Sequence, residues 1–276
     1  MGSDKSKDPQ AYGDELPQRQ VTLPAFFIGK HEATVVEYKA CVKDGVCKPV
    51  NPGALNGPDD LPVRYVSWSE ALAYCTWLEA QLKSWNGTPS SVADALAGRR
   101  DGQAWHVTLP SEAEWEKAAR GTDGRIYPWG PGIDATKANY AGAKRGGPTP
   151  VGSFPSGASP YGVLDMSGNV YEWTRSLLKP YPYDPRDGRE DLKAQGARVV
   201  RGGSFYFPKW YVRSAIRFTY DPKDGREDMK AQAARVVRGG SFNYSGRSVR
   251  AAFRSGSDPG YRSNDVGFRV VVSRSF

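Results

Sequence analysis

Cysteine and histidine are the scarce residues of this 276-residue chain, with three and two copies. Three cysteines are too few for a disulfide framework and leave the redox compartment open. Cys41 and Cys47 flank a short turn and could form a bridge, whereas Cys75 lies on the apolar face of a predicted helix as a core thiol. His31 and His106 stand in separate segments without metal-ligand spacing, so we expect them to be surface or structural residues.

The sequence also lacks any apolar run near the ~18 residues of a membrane-spanning helix. Its opening, Met1-Gly-Ser-Asp-Lys, does not match a signal peptide. We expect soluble material, cytoplasmic or surface-exposed as part of a larger protein, from which a leader or upstream domain could have been removed. The net charge is +8, but the cations alternate with acids, which favours a solvated surface over a nucleic-acid site. Two isolated RGG triplets are a weak signal for RNA binding.

Turn residues and aromatics are abundant instead, with 31 Gly, 21 Pro, 8 Trp and 15 Tyr. Ser/Thr-x-x-Glu capping boxes at Thr34, Ser67 and Ser111 each predict the start of a helix. A further short helix is expected over residues 91–96. The buried stripe of the second helix is expected to consist of Leu72, Cys75, Leu78 and Leu82.

Strand signals are short and scattered over the chain. They fall at residues 21–28, 163–164, 169–174, 198–201, 235–238 and 266–272. The first 20 residues are polar and expected to be extended or loose. Together these patterns predict one α+β domain over residues 1–276, with few helices, short antiparallel strands and much irregular structure.

The last third of the chain contains a duplication with an offset of 37 residues. Residues 183–205 and 220–242 differ only at Arg186/Lys223, Leu192/Met229 and Gly196/Ala233, and both end in RVVRGGSF. Beyond these stretches the similarity is weaker, as a comparison of residues 211–217 with residues 248–254 shows. This pattern suggests a fixed frame that carries exchangeable residues. The duplicated units are 183–219 and 220–256.

Five blocks of the sequence, in this order, resemble the formylglycine-generating-enzyme (sulfatase-modifying-factor) family. They cover nearly the whole chain, and the combination is specific. The blocks are PVRYVSW at 62–68, LPSEAEWEKAARG at 109–121, YPWG at 127–130, GVLDMSGNVYEWT at 162–174, and RGGSF at 238–242 with GFRV at 267–270. The resemblance implies a C-type-lectin-like fold.

The resemblance also implies catalytic groups that this chain lacks. Oxidases of the family bind copper through a cysteine pair after the GGS block, but no cysteine follows Cys75 here. Iron-dependent relatives need a histidine cluster, and this chain has two separate histidines. We therefore expect neither copper nor iron. Family members often hold one calcium ion, which would fall here on Ser167, Gly168, Val170 and Glu172, unless Glu172 simply pairs locally.

Residues 243–269 contain no Lys, Glu, Gln, Met or Trp. Changes at the adenines of an AAC codon cannot produce those five residues, and the segment is similar to the variable region of proteins diversified by diversity-generating retroelements. An ordinary Ser/Gly/Asn-rich loop is the alternative. Alternating arginines are expected to anchor the segment by fork-like bonds. The candidate ligand-binding residues within 243–265 are Asn243, Tyr244, Ser245, Gly246, Arg247, Ser248, Phe253, Ser255, Ser257, Asp258, Tyr261, Ser263, Asn264 and Asp265.

The first copy fits this residue palette less well, because Lys209 and Trp210 follow its GGSF. We expect the second copy to occupy the family's usual place and to be the diversified one, with the reverse assignment as the alternative. The sequence thus predicts a non-catalytic protein that binds a protein or surface-polymer ligand. A metal-dependent oxidase and a fixed-specificity structural relative are the rival hypotheses.

Overall fold

The helices begin where the capping boxes predict. The computed structural model describes residues 1–48, 55–220 and 262–274. Thr34, Ser67 and Ser111 each accept a hydrogen bond from the backbone N–H of the glutamate three residues later, which fixes the first turn of a helix. The α-helices of this part of the chain are α1 (Val35–Lys43), α2 (Trp68–Ser84), α3 (Ser90–Leu96) and α4 (Glu112–Arg120).

The buried side of α2 differs from the predicted stripe. Trp68, Ala71, Tyr74 and Cys75 are buried, whereas Leu72, Leu78 and Leu82 pack only partly against the core. The aromatic residues at the start of the helix take the interior, because Tyr74 packs against Tyr38, Trp77 and Phe268.

The strands of the described residues are β1 (Phe27–Ile28), β2 (His106–Thr108), β3 (Tyr171–Leu177), β4 (Arg198–Arg201), β5 (Phe218–Tyr220), β6 (Val266–Gly267) and β7 (Val271–Ser273). They form two small sheets. The first has the order β1-β7-β2 and is antiparallel, and the second has the order β5-β4-β3-β6. In the second sheet β4 is antiparallel to β3 and β5, and β6 is parallel to β3. Short 3₁₀-helices lie at Gly13–Glu15, Ala141–Ala143, Pro155–Gly157 and Lys209–Tyr211.

Several strand predictions need correction. Only Phe27–Ile28 of the predicted strand 21–28 pairs, 163–164 is irregular, and 266–272 divides into β6 and β7. The prediction at 198–201 is confirmed as β4, so the first copy of the duplication lies beside β3. The strand predicted at 235–238 in the second copy lies outside the described residues.

The N-terminal 20 residues are fixed rather than loose. Ser3, Asp8 and Glu15 are buried, and the Gly2 N–H donates to the Glu116 carboxylate of α4 at 2.8 Å. Polar side chains can be buried in this way because they pair with charged groups elsewhere in the chain. The polar composition of the first 20 residues alone therefore gave the wrong prediction. In the described part of the chain, no helix is long and apolar enough to cross a membrane.

Candidate ligand-binding site

The described residues reach the predicted variable segment at its C-terminal end. Ser263, Asn264 and Asp265 lie within them and immediately precede β6. The remaining candidates lie outside the described part of the chain: Asn243, Tyr244, Ser245, Gly246, Arg247, Ser248, Phe253, Ser255, Ser257, Asp258 and Tyr261. For those residues the assignment stays a prediction.

Two of the three described candidates face the interior. Ser263 and Asp265 are each 5% exposed. Ser263 Oγ donates to Asp265 Oδ1 at 2.5 Å, and Ser204 Oγ of the first copy donates to Asp265 Oδ2 at 2.9 Å. Burial raises the pKa of Asp265, although both hydroxyl groups oppose the shift. The structure therefore corrects their predicted place on an exposed binding face: Ser263 and Asp265 belong to the supporting frame.

Asn264 is half-buried and lies beside exposed aromatic residues. Its Nδ2 donates to the hydroxyl of Tyr206 at 2.9 Å, and Tyr206 is 55% exposed. The Asn264 carbonyl accepts from Arg64 Nη1 at 3.1 Å. Tyr65, which follows Arg64, has a φ of 57°, an uncommon backbone conformation for a bulky side chain. Arg64, Tyr65, Tyr206 and Asn264 form a surface that we name the rim.

An arginine fork holds the same end of the segment. Arg262 Nε and Nη2 donate to the two oxygens of Glu70 at 3.0 and 2.7 Å. Glu70 also accepts from the Ser67 N–H at the start of α2, so one carboxylate serves both the helix cap and the anchor. Burial opposes ionisation of Glu70, but the Arg262 fork and the cap lower its pKa. The prediction that arginines anchor this segment by forks is confirmed for Arg262.

A second fork occupies the predicted calcium residue. Arg269 Nε and Nη2 donate to Glu172 at 2.5 and 2.6 Å, and Trp115 Nε1 donates to the same carboxylate at 2.8 Å. Both charged partners are fully buried. Both carboxylate oxygens are engaged and face a guanidinium, so this arrangement does not fit calcium at Glu172.

The other three predicted calcium residues are also held internally. Ser167 Oγ donates to the Val212 carbonyl, the Gly168 N–H donates to the Gly202 carbonyl at 2.8 Å, and the Val170 side chain is buried. Calcium at this place stays a prediction that would rest on backbone oxygens.

The first copy shows how the frame is anchored. Arg201 donates to Glu112 at 3.1 Å and to Glu116 at 2.6 Å, and Arg217 donates to Glu112 through Nε at 2.7 Å. Burial opposes ionisation of Glu116, yet the guanidinium groups of Arg201 and Arg120 lower its pKa to about 2. Farther along, Arg213 donates to Glu15 at 2.7 Å. These arginines are buried in ion pairs rather than solvated, which corrects the charge prediction.

The residues between those anchors are divided between surface and core. Tyr206 and Lys209 are exposed, and they correspond to Asn243 and Gly246 of the second copy. Ile216 is buried and corresponds to Phe253. The loop that follows the first GGSF therefore offers exposed positions mainly near its start.

The three cysteines and His106 are placed by contacts of other kinds. Cys41 and Cys47 form a disulfide, and Cys75 is buried, where burial raises the pKa of its thiol. His106 Nδ1 lies 3.3 Å from Glu79 Oε1. Within residues 1–48, 55–220 and 262–274, no group of three or more His, Cys, Asp or Glu could hold a metal ion.

The sequence analysis missed a buried pair of carboxyl groups. Glu32 is 2% exposed, accepts from Asn169 Nδ2 at 3.1 Å, and has an Oε2 atom without a hydrogen-bond partner. Burial and the nearby Asp165 raise the pKa of Glu32 well above its usual value. The two residues are 133 positions apart, and neither stands in a motif that would reveal the pairing.

Comparison with known proteins gives both family and structural relatives. The model of the sulfatase-modifying factor enzyme 1-like domain matches residues 1–229 and 218–274. Hercynine oxygenase from Mycolicibacterium thermoresistibile is 30% identical over 259 residues, which cover 79% of this chain and 52% of that protein. Inactive C-alpha-formylglycine-generating enzyme 2 from Mus musculus is 34% identical over 170 residues, which cover 57% of this chain and 42% of that protein. The chain thus spans about half the length of the curated relatives it matches.

Solved structures of other proteins share the fold, among them the following two. Treponema denticola variable protein 1 superposes with a TM-score of 0.60 at 22% identity and covers 92% of this chain and 86% of its own. PvdO from Pseudomonas aeruginosa superposes with a TM-score of 0.64 at 23% identity and covers 99% and 90%. These similarities confirm the predicted mixed α and β architecture with few helices and short strands.

Proposed function

Because the chain belongs to the sulfatase-modifying factor enzyme 1-like family and has its C-type-lectin-like fold, we propose that it is a non-catalytic ligand-binding protein. Its binding face is the C-terminal segment 243–265, apart from the buried Ser263 and Asp265, together with the rim. The residues of that segment are exchanged by a diversity-generating retroelement, so that related genes recognise different targets.

One observation carries this proposal: a restricted residue palette in a segment whose C-terminal end is fixed by arginine anchors. Arg262 and Arg269 hold the end of the segment through forks to Glu70 and Glu172. Within 243–265, the remaining positions use residues reachable from an asparagine codon by adenine changes. A frame held by buried ion pairs tolerates changes at neighbouring exposed positions, because those positions contribute little to folding.

The chemistry of the face favours an extended ligand. Tyrosine supplies rigid contact area at low entropic cost, and Ser, Gly and Asn supply adaptable hydrogen bonds. The rim adds Tyr206 and Arg64, which are residue types enriched at protein interfaces. A protein or surface-polymer ligand therefore fits better than a small molecule. The fold shared with a solved protein named as variable supports this reading.

A metal-dependent oxidase is the second candidate, since relatives named hercynine oxygenase are 30% identical over 79% of the chain. Against it, no cysteine follows Cys75, and the two histidines stand in separate segments. Incubation of the purified chain with copper(I) or iron(II), followed by desalting and elemental analysis, separates the two functions. Stoichiometric retention of either metal, with oxygen consumption, would favour the enzyme.

Deep sequencing of the 3′ end of the gene in a population of source cells tests the proposal directly. We expect variation confined to codons within 243–265, at positions where a nearby non-coding near-copy has adenine. Codons 206–211 of the first copy are the matched control and should be invariant, because Lys209 and Trp210 do not belong to the palette. Invariant codons throughout 243–265, with no near-copy, would overturn diversification.

A further inference from the structure

The position of β4 in the second sheet is a slot with a demanding set of contacts. β4 lies between β3 and β5, and Val199 and Val200 are fully buried. At one end Arg198 donates to the Arg175 carbonyl at 2.6 Å, with its guanidinium 4.3 Å from the centre of the Trp68 ring. At the other end Arg201 bridges Glu112 and Glu116 of α4. The occupant must therefore be an R-V-V-R strand.

The sequence contains a second R-V-V-R segment with the residue types that these contacts require. Arg235, Val236, Val237 and Arg238 repeat the four residues of β4, and the GGSF that follows is also identical. The frame downstream repeats as well: Arg213, which pairs with Glu15, and Arg217, which pairs with Glu112, correspond to Arg250 and Arg254. Two walls of the slot, β3 and α4, lie outside the duplication and are available to either copy. The third wall, β5, spans the end of the first unit and the first residue of the second.

The lengths of the connections do not choose between the copies. With the first copy in the slot, 20 residues link β3 to β4; with the second copy, 57 would do so. The connection from the slot to β6 shortens in turn, from 64 residues to 27. The probability of closing a loop falls with the 3/2 power of its length. The longer connection from β3 therefore disfavours the second copy about five-fold, and the shorter connection to β6 favours it about four-fold. These effects nearly cancel.

Within the near-identical stretches 183–205 and 220–242, one of the three differences bears on the preference. Gly196 has a φ of 138°, and a Cβ atom added there would lie 3.2 Å from Leu177 Cδ2. The second copy has Ala233 at the corresponding position. An alanine adopts this backbone conformation less readily than glycine, which lowers its population roughly ten-fold. Arg186 and Leu192, the other two differing residues, are exposed and neutral in this respect.

We propose that the two copies compete for this single slot, with the first copy favoured because of Gly196. Exchange would change the loop that follows GGSF at this place, from the sequence YFPKWY to NYSGRS. The competition itself depends only on the duplicated frame. Its consequence, a choice between two binding loops, rests on the proposed ligand-binding function.

Hydrogen–deuterium exchange on the ligand-free chain tests the competition. The reciprocal variant Gly196→Ala/Ala233→Gly has the same composition as the parent but reverses the preference. Peptides from the two copies remain distinguishable because Leu192 and Met229 differ. We expect amide protection at 198–201 to fall and protection at 235–238 to rise in the reciprocal variant. Unchanged protection of 198–201 would overturn the proposal.

A double-mutant cycle supplies a second measurement that does not depend on glycine. Arg201→Met would leave Glu112 and Glu116 short of a buried partner, which costs on the order of a hundred-fold in the folding equilibrium if no substitute exists. If the copies compete, Arg201→Met and Arg238→Met should each lower the folding equilibrium constant about ten-fold or less. The double variant should lower it by far more than the product of the two single effects. An Arg201→Met variant as unstable as the double variant, or a strongly destabilised Arg238→Met, would contradict it.

Both measurements need no ligand, so their failure is distinguishable from failure of the proposed function. Invariant codons at 243–265 would remove diversification and leave strand competition intact. Fixed protection of the first copy would remove competition and leave ligand binding intact.

Discussion

The buried fork between Arg269 and Glu172 should be a principal source of stability. Arg269 makes two hydrogen bonds to the Glu172 carboxylate, at 2.5 and 2.6 Å, and neither side chain is exposed. Arg269→Met removes the charge and both donors, so that Glu172 keeps only the Trp115 indole at 2.8 Å. An ionised carboxylate left buried in this way costs about 3–5 kcal/mol of unfolding free energy.

That loss is large enough to measure by calorimetry or circular dichroism. For a chain of this size, 1 kcal/mol shifts Tm by about 2–4 °C, so Arg269→Met should melt about 6–20 °C below the parent. Arg186→Met is the matched control: the Arg186 side chain is 87% exposed, its partner is Asp184, and the expected loss is below about 1 kcal/mol. The double variant Glu172→Gln/Arg269→Met removes the stranded charge and should melt above Arg269→Met.

Two results would refute this reasoning. One is an Arg269→Met variant that melts with the Arg186→Met control. The other is a double variant no more stable than Arg269→Met, which would mean that the stranded charge at Glu172 is not the source of the loss. Scans with added calcium and with a chelator belong to the same series. A calcium-dependent rise in Tm that survives Glu172→Gln would place the predicted ion on backbone oxygens.

Glu32 should oppose folding at neutral pH. Burial and Asp165 raise the pKa of Glu32 above the usual 4.5. The stability that the protonated side chain contributes is therefore fully present below about pH 4.5 and is lost as the pH rises through the folded-state pKa. Glu32→Gln should therefore raise the unfolding free energy by about 1–3 kcal/mol at pH 8 and leave it unchanged at pH 4, as followed by urea titration. The Cys41–Cys47 bridge closes a short loop, so Cys41→Ser/Cys47→Ser should lose about 2 kcal/mol in the same titration, and a parent equally stable after reduction would contradict that.

The sequence predicted the helices because their signals are local. Thr34, Ser67 and Ser111 each cap a helix with the glutamate three residues later, and this exchange of hydrogen bonds needs no tertiary partner. The face of α2 was predicted less well. Trp68 and Tyr74 enter the core in preference to Leu72 and Leu78, since the aromatic partners Tyr38 and Phe268 come from distant parts of the chain.

The buried ion pairs could not be read from local sequence. Glu70 and Glu114 are recognisable as capping residues, but each also binds an arginine more than 60 positions away, Arg262 and Arg175. A short sequence window reveals the helix cap but not the ion pair with a distant arginine. The duplication contains a signal for these positions: Arg213 and Arg217 recur as Arg250 and Arg254, while most of their neighbours differ.

That recurrence gives physical content to the idea of a frame with exchangeable residues. Most described arginines of the frame end on a carboxylate from another part of the chain, such as Arg201 on Glu116 and Arg213 on Glu15, whereas Arg198 donates to backbone carbonyls. Losing any one would leave a buried charge, so these positions cannot vary freely. The Tyr206 side chain, by contrast, is exposed, and its hydroxyl accepts a hydrogen bond from Asn264. A chain arranged in this way can change exposed residues without changing its core, which is the property that proposed diversification requires.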